Sequence, residues 1–515
     1  MARTTARWSA VALSLVFLGG IVVAGPSGGR VVQVLPEEAQ GGPTTEEMAA
    51  AQRGLHGWLQ KELPQGAAGA IVRADLTAED RRRMDAPQGP GPVPLRIGLA
   101  KRLPDPIVID GLMPEDVARG GRVAGGILQP SGDGGFVWAV TIASSGAAKV
   151  RVHVDDVELP PSMDLFVYSA AGQAFGPYEG RGPQGTGEFW AHSIAGSEAT
   201  VVLRQYGPPT ADQLRQVSFV LDEIGHVIPR AAQDQIEQIC GNPNCIVDAT
   251  CVNDPIANPA KDATAKMEWI SGAFIFTCTG GLVNDTDGGT QIPYFLTANH
   301  CLNRNRDAEN VEFYWDFATS TCNGSCPNNN AFNPTLGSVV RATGSDGDFT
   351  LLEITGALPS GRVFLGFTNS PIANTNGALL YRISNPNFGP QVYSRHSVDT
   401  SAPTCSGWPR GESIYSRDLE GGTDGGSSGS PVLNASSQIV GQLSGGCGFN
   451  VSDPCDAEAN ATVDGALAHY WNSVSAFLDP DTGGGGCQPK GASCTVNSDC
   501  CSNSCKGPSG NKTCK

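Results

Sequence analysis

Sixteen cysteines, all placed after residue 239 of a 515-residue chain, constrain this sequence more than any other feature. An even set of cysteines at that density fits an oxidising destination and a disulfide framework. The first 239 residues hold none, and this asymmetry predicts two separately built portions. The N-terminus agrees about the compartment. Arg3 and Arg7 precede an apolar run, Val11–Ala24, and Val22-Val23-Ala24 offers small residues for cleavage before Gly25. Residues 1–24 therefore read as a secretory signal peptide, and the protein is expected to be secreted and extracellular. The run is shorter than the ~20 residues a membrane-spanning helix needs. No later segment is long and apolar enough to span, so no membrane association is expected after signal removal.

Charge excludes other partners. Fifty-one acidic against 34 basic side chains give a formal charge of −17. Such a surface repels phosphate backbones and anionic lipid, so no nucleic-acid partner is expected. With 40% hydrophobic residues the chain can build real cores. Its length suggests about three domains.

Patterning divides the chain. Residues 25–132 are poorly patterned, with helical signals at 44–63 and 77–84 broken by Gly/Pro-rich stretches such as Pro87–Pro94. From about Gly134, apolar–polar alternation predicts strands at 136–143, 148–154, 163–169, 188–192 and 200–206, a small all-β unit over about 134–206. A polar connector, 233–240, follows. Strands resume at 273–279, 294–297, 311–316, 349–353 and 439–443, separated by long Asn/Gly/Ser/Pro loops; 467–477 is the best helix. Many short strands with turn-rich connections indicate an all-β sandwich or barrel. Residues 481–486 close a flexible glycine linker, Asp479–Gly486, and 487–515 form a six-cysteine tail.

Three segments of the cysteine-containing portion carry chemistry. They are Phe295-Leu-Thr-Ala-Asn-His300-Cys301, Ser345-Asp-Gly-Asp348-Phe-Thr-Leu-Leu352 and Gly425-Gly-Ser-Ser428-Gly-Ser-Pro-Val432. A serine hydroxyl becomes nucleophilic at neutral pH only when an imidazole takes its proton and a shielded carboxylate orients that imidazole. Glycines around the serine let the backbone turn sharply and aim N–H groups at a developing oxyanion. Ser428 sits in such a turn, where the Gly426 and Ser428 N–H groups would form the hole. His300 ends an apolar strand beside a cysteine able to pin it. Asp348 opens an apolar run that would shield its carboxylate. Each segment alone has a bland reading as loop, structural histidine or turn aspartate; the ordered set of three is far more specific. There is no His-Glu-x-x-His, and His396 and His469 have no ligand-spaced partner, so no metal or other cofactor is expected.

LTANHC, DFTLLE and GSSGSPV resemble the His, Asp and Ser motifs of trypsin-like (chymotrypsin-fold) serine proteases, and among these the secreted bacterial lysyl endopeptidases. CTGGLVND at Cys278–Asp285, FYWDFATSTC ending at Cys322 and GQLSGG at Gly441–Gly446 carry the same resemblance, which covers roughly 245–480. It implies a two-barrel domain over 240–480 with the site between the barrels. It also implies His300 as general base, Asp348 as its orienter and Ser428 as nucleophile, acting on protein or peptide substrates. The β-rich unit resembles, less specifically, the pro-regions of those enzymes. Residues 25–239 are then expected to be a pro-region that assists folding, blocks the cleft and is cut away, with Arg230-Ala231 a candidate cleavage point. The resemblance further implies the disulfides Cys278–Cys301, Cys251–Cys322 and Cys245–Cys447, leaving Cys240, Cys326, Cys405 and Cys455 open to three connectivities.

The chain departs from the family in places. Ser427 stands where trypsin-like zymogens place the aspartate that receives a freed N-terminal amine, so activation by that ion pair is unavailable. Ser444, ahead of Gly445 and Gly446, fits the wall where substrate backbone pairs as an added strand; lysyl endopeptidases have histidine there. For the lysine-reading acid two alignments stay open. One, on Asp464-Gly465, puts Thr462 at the specificity position. The other keeps an acid at Asp453, with Asp456 also nearby, and a basic P1 preference. Trp408 is the candidate for an aromatic flanking this pocket.

The tail reads C-x6-C-x5-CC-x3-C-x8-C. A segment this short cannot bury a core, so disulfides must hold it. It resembles knottin-like cystine-knot modules, which implies Cys487–Cys501, Cys494–Cys505 and Cys500–Cys514; its ligand could be a polysaccharide or a cell surface. Two competing functions follow. One is a surface- or polysaccharide-binding protein on an inactive protease scaffold. The other is an esterase of unrelated fold, disfavoured because that fold wants glycine where Ser430 stands and a different chain order.

Overall fold

Strand Phe136–Ala143 shows how the leading portion is built: all eight of its residues are buried. A strand reads as a continuous apolar run only when both faces are covered. The computed structural model, which describes residues 30–229, 240 and 242–480 except 89–90 and 328–332, with short strands at Ile21–Ala24, Cys505–Lys506 and Thr513–Cys514, supplies both covers. The elements used below are α1 (Thr45–Glu62), β1 (Leu95–Asp110), β2 (Phe136–Ala143), β3 (Lys149–Glu158), β4 (Met163–Tyr168), β5 (Glu198–Gln205) and β6 (Ser218–Val227). On one side of the β4-β5-β2 sheet, Leu59 of α1 packs with Val137, Ala139 and Phe166. On the other, Trp138, Val140 and Ile142 meet Val150, Val152 and Ile224 of the β3-β6-β1 sheet. Helix α1 starts at a capping box, Thr44 with Glu47.

The following portion contains β7 (Thr264–Ser271), β8 (Phe274–Leu282), β9 (Tyr294–Ala298), β10 (Glu312–Tyr314), β11 (Ser338–Gly344) and β12 (Phe349–Ile354). These six pair in the order β10-β7-β8-β9-β12-β11 around Phe295, Phe313, Leu351 and Leu352. A second set comprises β13 (Leu379–Ser384), β14 (Val392–Val398), β15 (Ser413–Gly421), β16 (Pro431–Leu433), β17 (Gln438–Gly448) and β18 (Asn460–Ala466). It runs β13-β14-β15-β18-β17-β16 and returns to β13, a closed six-stranded barrel with no free edge. Helix α2 (Leu467–Leu478) follows, burying Leu467, Tyr470, Val474 and Leu478 at helical spacing. This is the all-β, two-barrel, chymotrypsin-like architecture. Among the described residues no helix is long and apolar enough to cross a membrane.

Three expectations need correction. The leading portion does not stand apart from the barrels. Strand β1 pairs β6 on one side and β8 on the other, Leu99 opposite Phe274 and Leu95 opposite Thr277, so one sheet runs through both portions. The junction is charged and dry: Lys149 and Lys266 flank Glu268, and all three are buried. The β-rich unit also extends past residue 206, to Val227. As for the disulfides, Cys278–Cys301 and Cys251–Cys322 form, but Cys245 pairs with Cys455, Cys447 with Cys405, and Cys240 with Cys326. Cys447 lies on β17 within a small cluster with Ala402 and Tyr415, against which the Cys405 loop packs, whereas Cys455 sits in the exposed β17–β18 loop. The leader up to Gly20, Arg230-Ala231, the linker and the three tail pairings lie outside the described residues; Cys505–Lys506 and Thr513–Cys514 pair antiparallel.

Candidate active site

His300 lies just past the end of β9 and Asp348 just before β12; the two strands pair with Ala298 opposite Phe349. Register alone therefore sets the two side chains together. The carboxylate makes two bonds to the histidine. Asp348 Oδ2 lies 2.8 Å from the ring Nδ1, and Oδ1 accepts the His300 backbone N–H at 2.9 Å. An Nδ1–H directed at Asp348 leaves Nε2 with its lone pair. Both side chains are about nine-tenths buried. Asp348 takes a left-handed backbone, φ +50°, which a non-glycine residue holds only where its surroundings fix it. They do: its carbonyl accepts the Asn299 N–H at 3.0 Å and Gln442 Nε2 at 2.9 Å. Gln442 also binds the Gly347 carbonyl and is itself held by the Tyr470 hydroxyl. This support from β17 and α2 is a part of the site that the motifs do not announce, because GQL reads as an ordinary strand.

The Ser428 turn is fastened to the same strands. The Thr279 N–H donates to the Ser428 carbonyl, the Thr279 hydroxyl to the Gly426 carbonyl (both 2.8 Å), and the Gly429 N–H to Leu443. Gly429 has φ +82°, and a Cβ there would fall 2.2 Å from Thr297 Oγ1. Cys278, next to Thr279, is disulfide-bonded to Cys301, next to His300. The turn and the histidine are thus tied to neighbouring positions of one framework. Among the described residues no hydrogen bond joins the Ser428 hydroxyl to the ring; Nε2 faces Cys301 Sγ at 3.7 Å. Catalytic hydrogen bonds are often long in the free enzyme and tighten when substrate arrives. Ser427 is fully buried and its hydroxyl accepts from Ser384 Oγ at 3.0 Å, a neutral anchor where an ion pair was ruled out from sequence.

Gly426 has φ +97°, and among the described residues its N–H and that of Ser428 find no acceptor. Two unsatisfied donors flanking one residue beside a serine hydroxyl form an anion-binding nest.

Next to Ser428 lies a cavity of about 230 Å³ lined by Ser444, Gly445, Gly446 and Thr462, with Asp418, Asp424 and Asp456. Trp408 lies over Gly445, whose Cβ would come 3.2 Å from the indole. Asp453 is not part of this lining: it is exposed and caps the Cys455 N–H at 2.9 Å. Asp464 is also elsewhere, fully buried in an ion pair with Arg382 beneath the Ser428 turn. Burial works against the charge of Asp418, but the His396 ring, the Thr462 hydroxyl and the Arg382 guanidinium outweigh it and hold its carboxyl below the ordinary range. Gly91, Pro92 and Val93 of the leading portion line the same cavity, and Leu95 touches the turn at Gly425 and Gly426.

Residues 241–461 match the family model of the lysyl endopeptidase C-terminal domain. That portion of the chain is similar to lysyl endopeptidase C-terminal domains. A curated relative, the lysyl endopeptidase of Pseudomonas aeruginosa, is 26% identical over 373 residues, 68% of this chain and 76% of the relative. Solved structures resemble it more distantly. The Rv3671c protease of M. tuberculosis in its active form is 16% identical over 51% of this chain and 96% of its own, with a TM-score of 0.30. The HtrA-type protease AlgW is 13% identical over 44% and 63%, with a TM-score of 0.31.

Proposed function

We propose that this protein is a secreted serine endopeptidase, made as a precursor, that cleaves protein or peptide substrates after basic residues. Ser428 attacks the scissile carbonyl, His300 Nε2 takes its proton, and Asp348 holds the ring and stabilises the imidazolium. The Gly426 and Ser428 N–H groups receive the oxyanion, each contributing about 3–4 kcal/mol. The imidazolium then protonates the leaving amine, and water releases the acyl group from Ser428. The observation that carries the reading is the pair of N–H groups around Ser427 that have no acceptor among the described residues, framed by the same strands that lock His300 to Asp348. Basic specificity is supported by an acid-lined cavity in which no lining residue is a lysine or arginine.

Residues 25–239 act as the pro-region. The segment through Gly91, Pro92 and Val93 lines the cavity with uncharged residues, so as a pro-region it covers the cleft without supplying a P1 cation. Two slow-folding barrels of high contact order gain a ready-made edge in β1. Ser428→Ala should be secreted with its disulfides formed and show no peptide hydrolysis. Wild-type-like hydrolysis by that variant would refute the assignment. N-terminal sequencing of the secreted protein should find a start after residue 229, and Gly25 as the sole start would refute removal of the pro-region.

A further inference from the structure

The cavity beside Ser428 presents three carboxylates, and their hydrogen bonds separate them. Asp424 spends Oδ1 on the Gly425 N–H at 2.7 Å and Oδ2 on Asn387 Nδ2 at 2.8 Å. Asp456 spends Oδ2 on Asn450 Nδ2 at 2.9 Å and Oδ1 on the Ala459 N–H at 3.0 Å. Asp418 differs. Its Oδ1 takes both the His396 Nδ1–H at 2.7 Å and the Thr462 hydroxyl at 2.9 Å, while Oδ2 has no hydrogen-bond partner among the described residues. His396 is itself fully buried and backed by Ser394 Oγ at 2.7 Å, so the carboxylate is held from behind by a Ser394–His396 chain and from the side by β18.

A second observation points the same way. Ser444, 1% exposed, lines the cavity, and its hydroxyl has no partner among the described residues. A buried hydroxyl without a partner costs stability unless a ligand satisfies it. The cavity therefore holds one fixed anionic oxygen and, buried in its wall, one unpaired hydroxyl, with no lysine or arginine among its described lining residues.

We infer that Asp418, on β15, is the residue that reads the substrate's P1 cation, with the Ser444 hydroxyl as its second contact, and that Thr462 on β18 orients Asp418 instead of bearing the charge. This rests on the serine-endopeptidase reading above and names its specificity residue. One open carboxylate oxygen suits a point-charge ammonium better than a guanidinium fork, which needs two.

The test compares two peptide substrates differing only at P1, lysine against norleucine, which keeps the aliphatic stem without the charge. The protein is the secreted product of the full-length gene. The wild type should prefer lysine by about 100-fold in kcat/KM, the range of a charged hydrogen bond. Asp418→Asn still accepts from His396 and Thr462 but carries no charge, and should lower that preference by about 50-fold or more. Ser444→Ala removes only an unpaired hydroxyl and should lower it by about 3- to 10-fold, which keeps the inference testable should Asp418→Asn not be secreted. An unchanged lysine-to-norleucine ratio in the variants, a wild type indifferent to the pair, or an Asp418→Asn protein inert on both substrates overturns the assignment. A wild-type chain that a small organophosphorus reagent fails to phosphorylate at the Ser428 hydroxyl contradicts the protease reading itself, before P1 matters.

Discussion

Asp348 holds His300 at two points, its Oδ2 2.8 Å from the ring Nδ1 and its Oδ1 2.9 Å from the backbone nitrogen of the same residue. A single bond would leave the ring free to swing about it. Two bonds fix both its tautomer and its direction. If His300 is the general base, replacing Asp348 by asparagine should favour the wrong tautomer and lower turnover by on the order of 10⁴-fold, the effect of that change in serine-protease triads. Secretion and disulfides should be retained. Steady-state kinetics on a peptide substrate check this, and a loss under tenfold would contradict it.

Gln442 links the two barrels at the back of this pair. Its amide serves the Gly347 and Asp348 carbonyls while its oxygen accepts from Tyr470. Gln442→Leu leaves buried polar groups unpaired, at a cost of about 1–3 kcal/mol each. The expected result is a melting temperature lower by several degrees, together with a fall in kcat larger than the change in KM, because Asp348 and not the cavity loses its support. An equal effect on both constants would place Gln442 in substrate binding instead.

The junction of the leading portion with the first barrel rests on Glu268 between Lys149 and Lys266. Glu268→Gln leaves two ammonium groups buried without their carboxylate. Breaking a buried pair in this way costs about 3–5 kcal/mol. Secreted yield should drop sharply, with denaturant unfolding shifted to lower concentration. An unshifted midpoint would contradict a structural role for the cluster.

Much of this was legible from sequence, for reasons particular residues make plain. Phe136–Ala143 is legible at its observed bounds because both its faces are apolar, and the nearness of His300 to Asp348 because their motifs close the ends of two strands that pair. Strand β1 was missed. Its sequence contains Pro104 and Pro106, and it alternates poorly because residues 95–99 pair β8 while residues 98–110 pair β6. Asp418 is not among the residues that local alignment offers, which are Asp453 or Thr462 with Asp456 nearby, because Asp418 reaches Thr462 only through the β15–β18 pairing. The partners of Cys245 and Cys447 depend on loop packing that spacing does not encode.

Acid should weaken the leading portion first. His226, 3% exposed, is lowered to about 4 chiefly by burial, and His192, stacked on Phe175, likewise to about 4. Their ordinary value is near 6.5, so between pH 6.5 and 4 the unfolded chain binds protons that the folded chain does not. Stability therefore rises with pH across that window and is lost on acidification, by up to about 3 kcal/mol per histidine. Carboxylates such as Asp80 and Asp399, lowered to about 2, keep their contribution until lower pH. Thermal melts at pH 7 and 4.5 should show the decrease, and His226→Gln should reduce it. A melting temperature flat across this range would contradict the assignment.

The central claim is that Ser428 is the nucleophile activated by His300. Reaction with a small organophosphorus serine reagent, followed by peptide mass mapping, tests it most directly. The adduct should appear on the peptide containing Ser428, should be stoichiometric with loss of peptide hydrolysis, and should be absent in His300→Ala. Hydrolysis that persists with Ser428 fully modified, or an adduct confined to another serine, would contradict it.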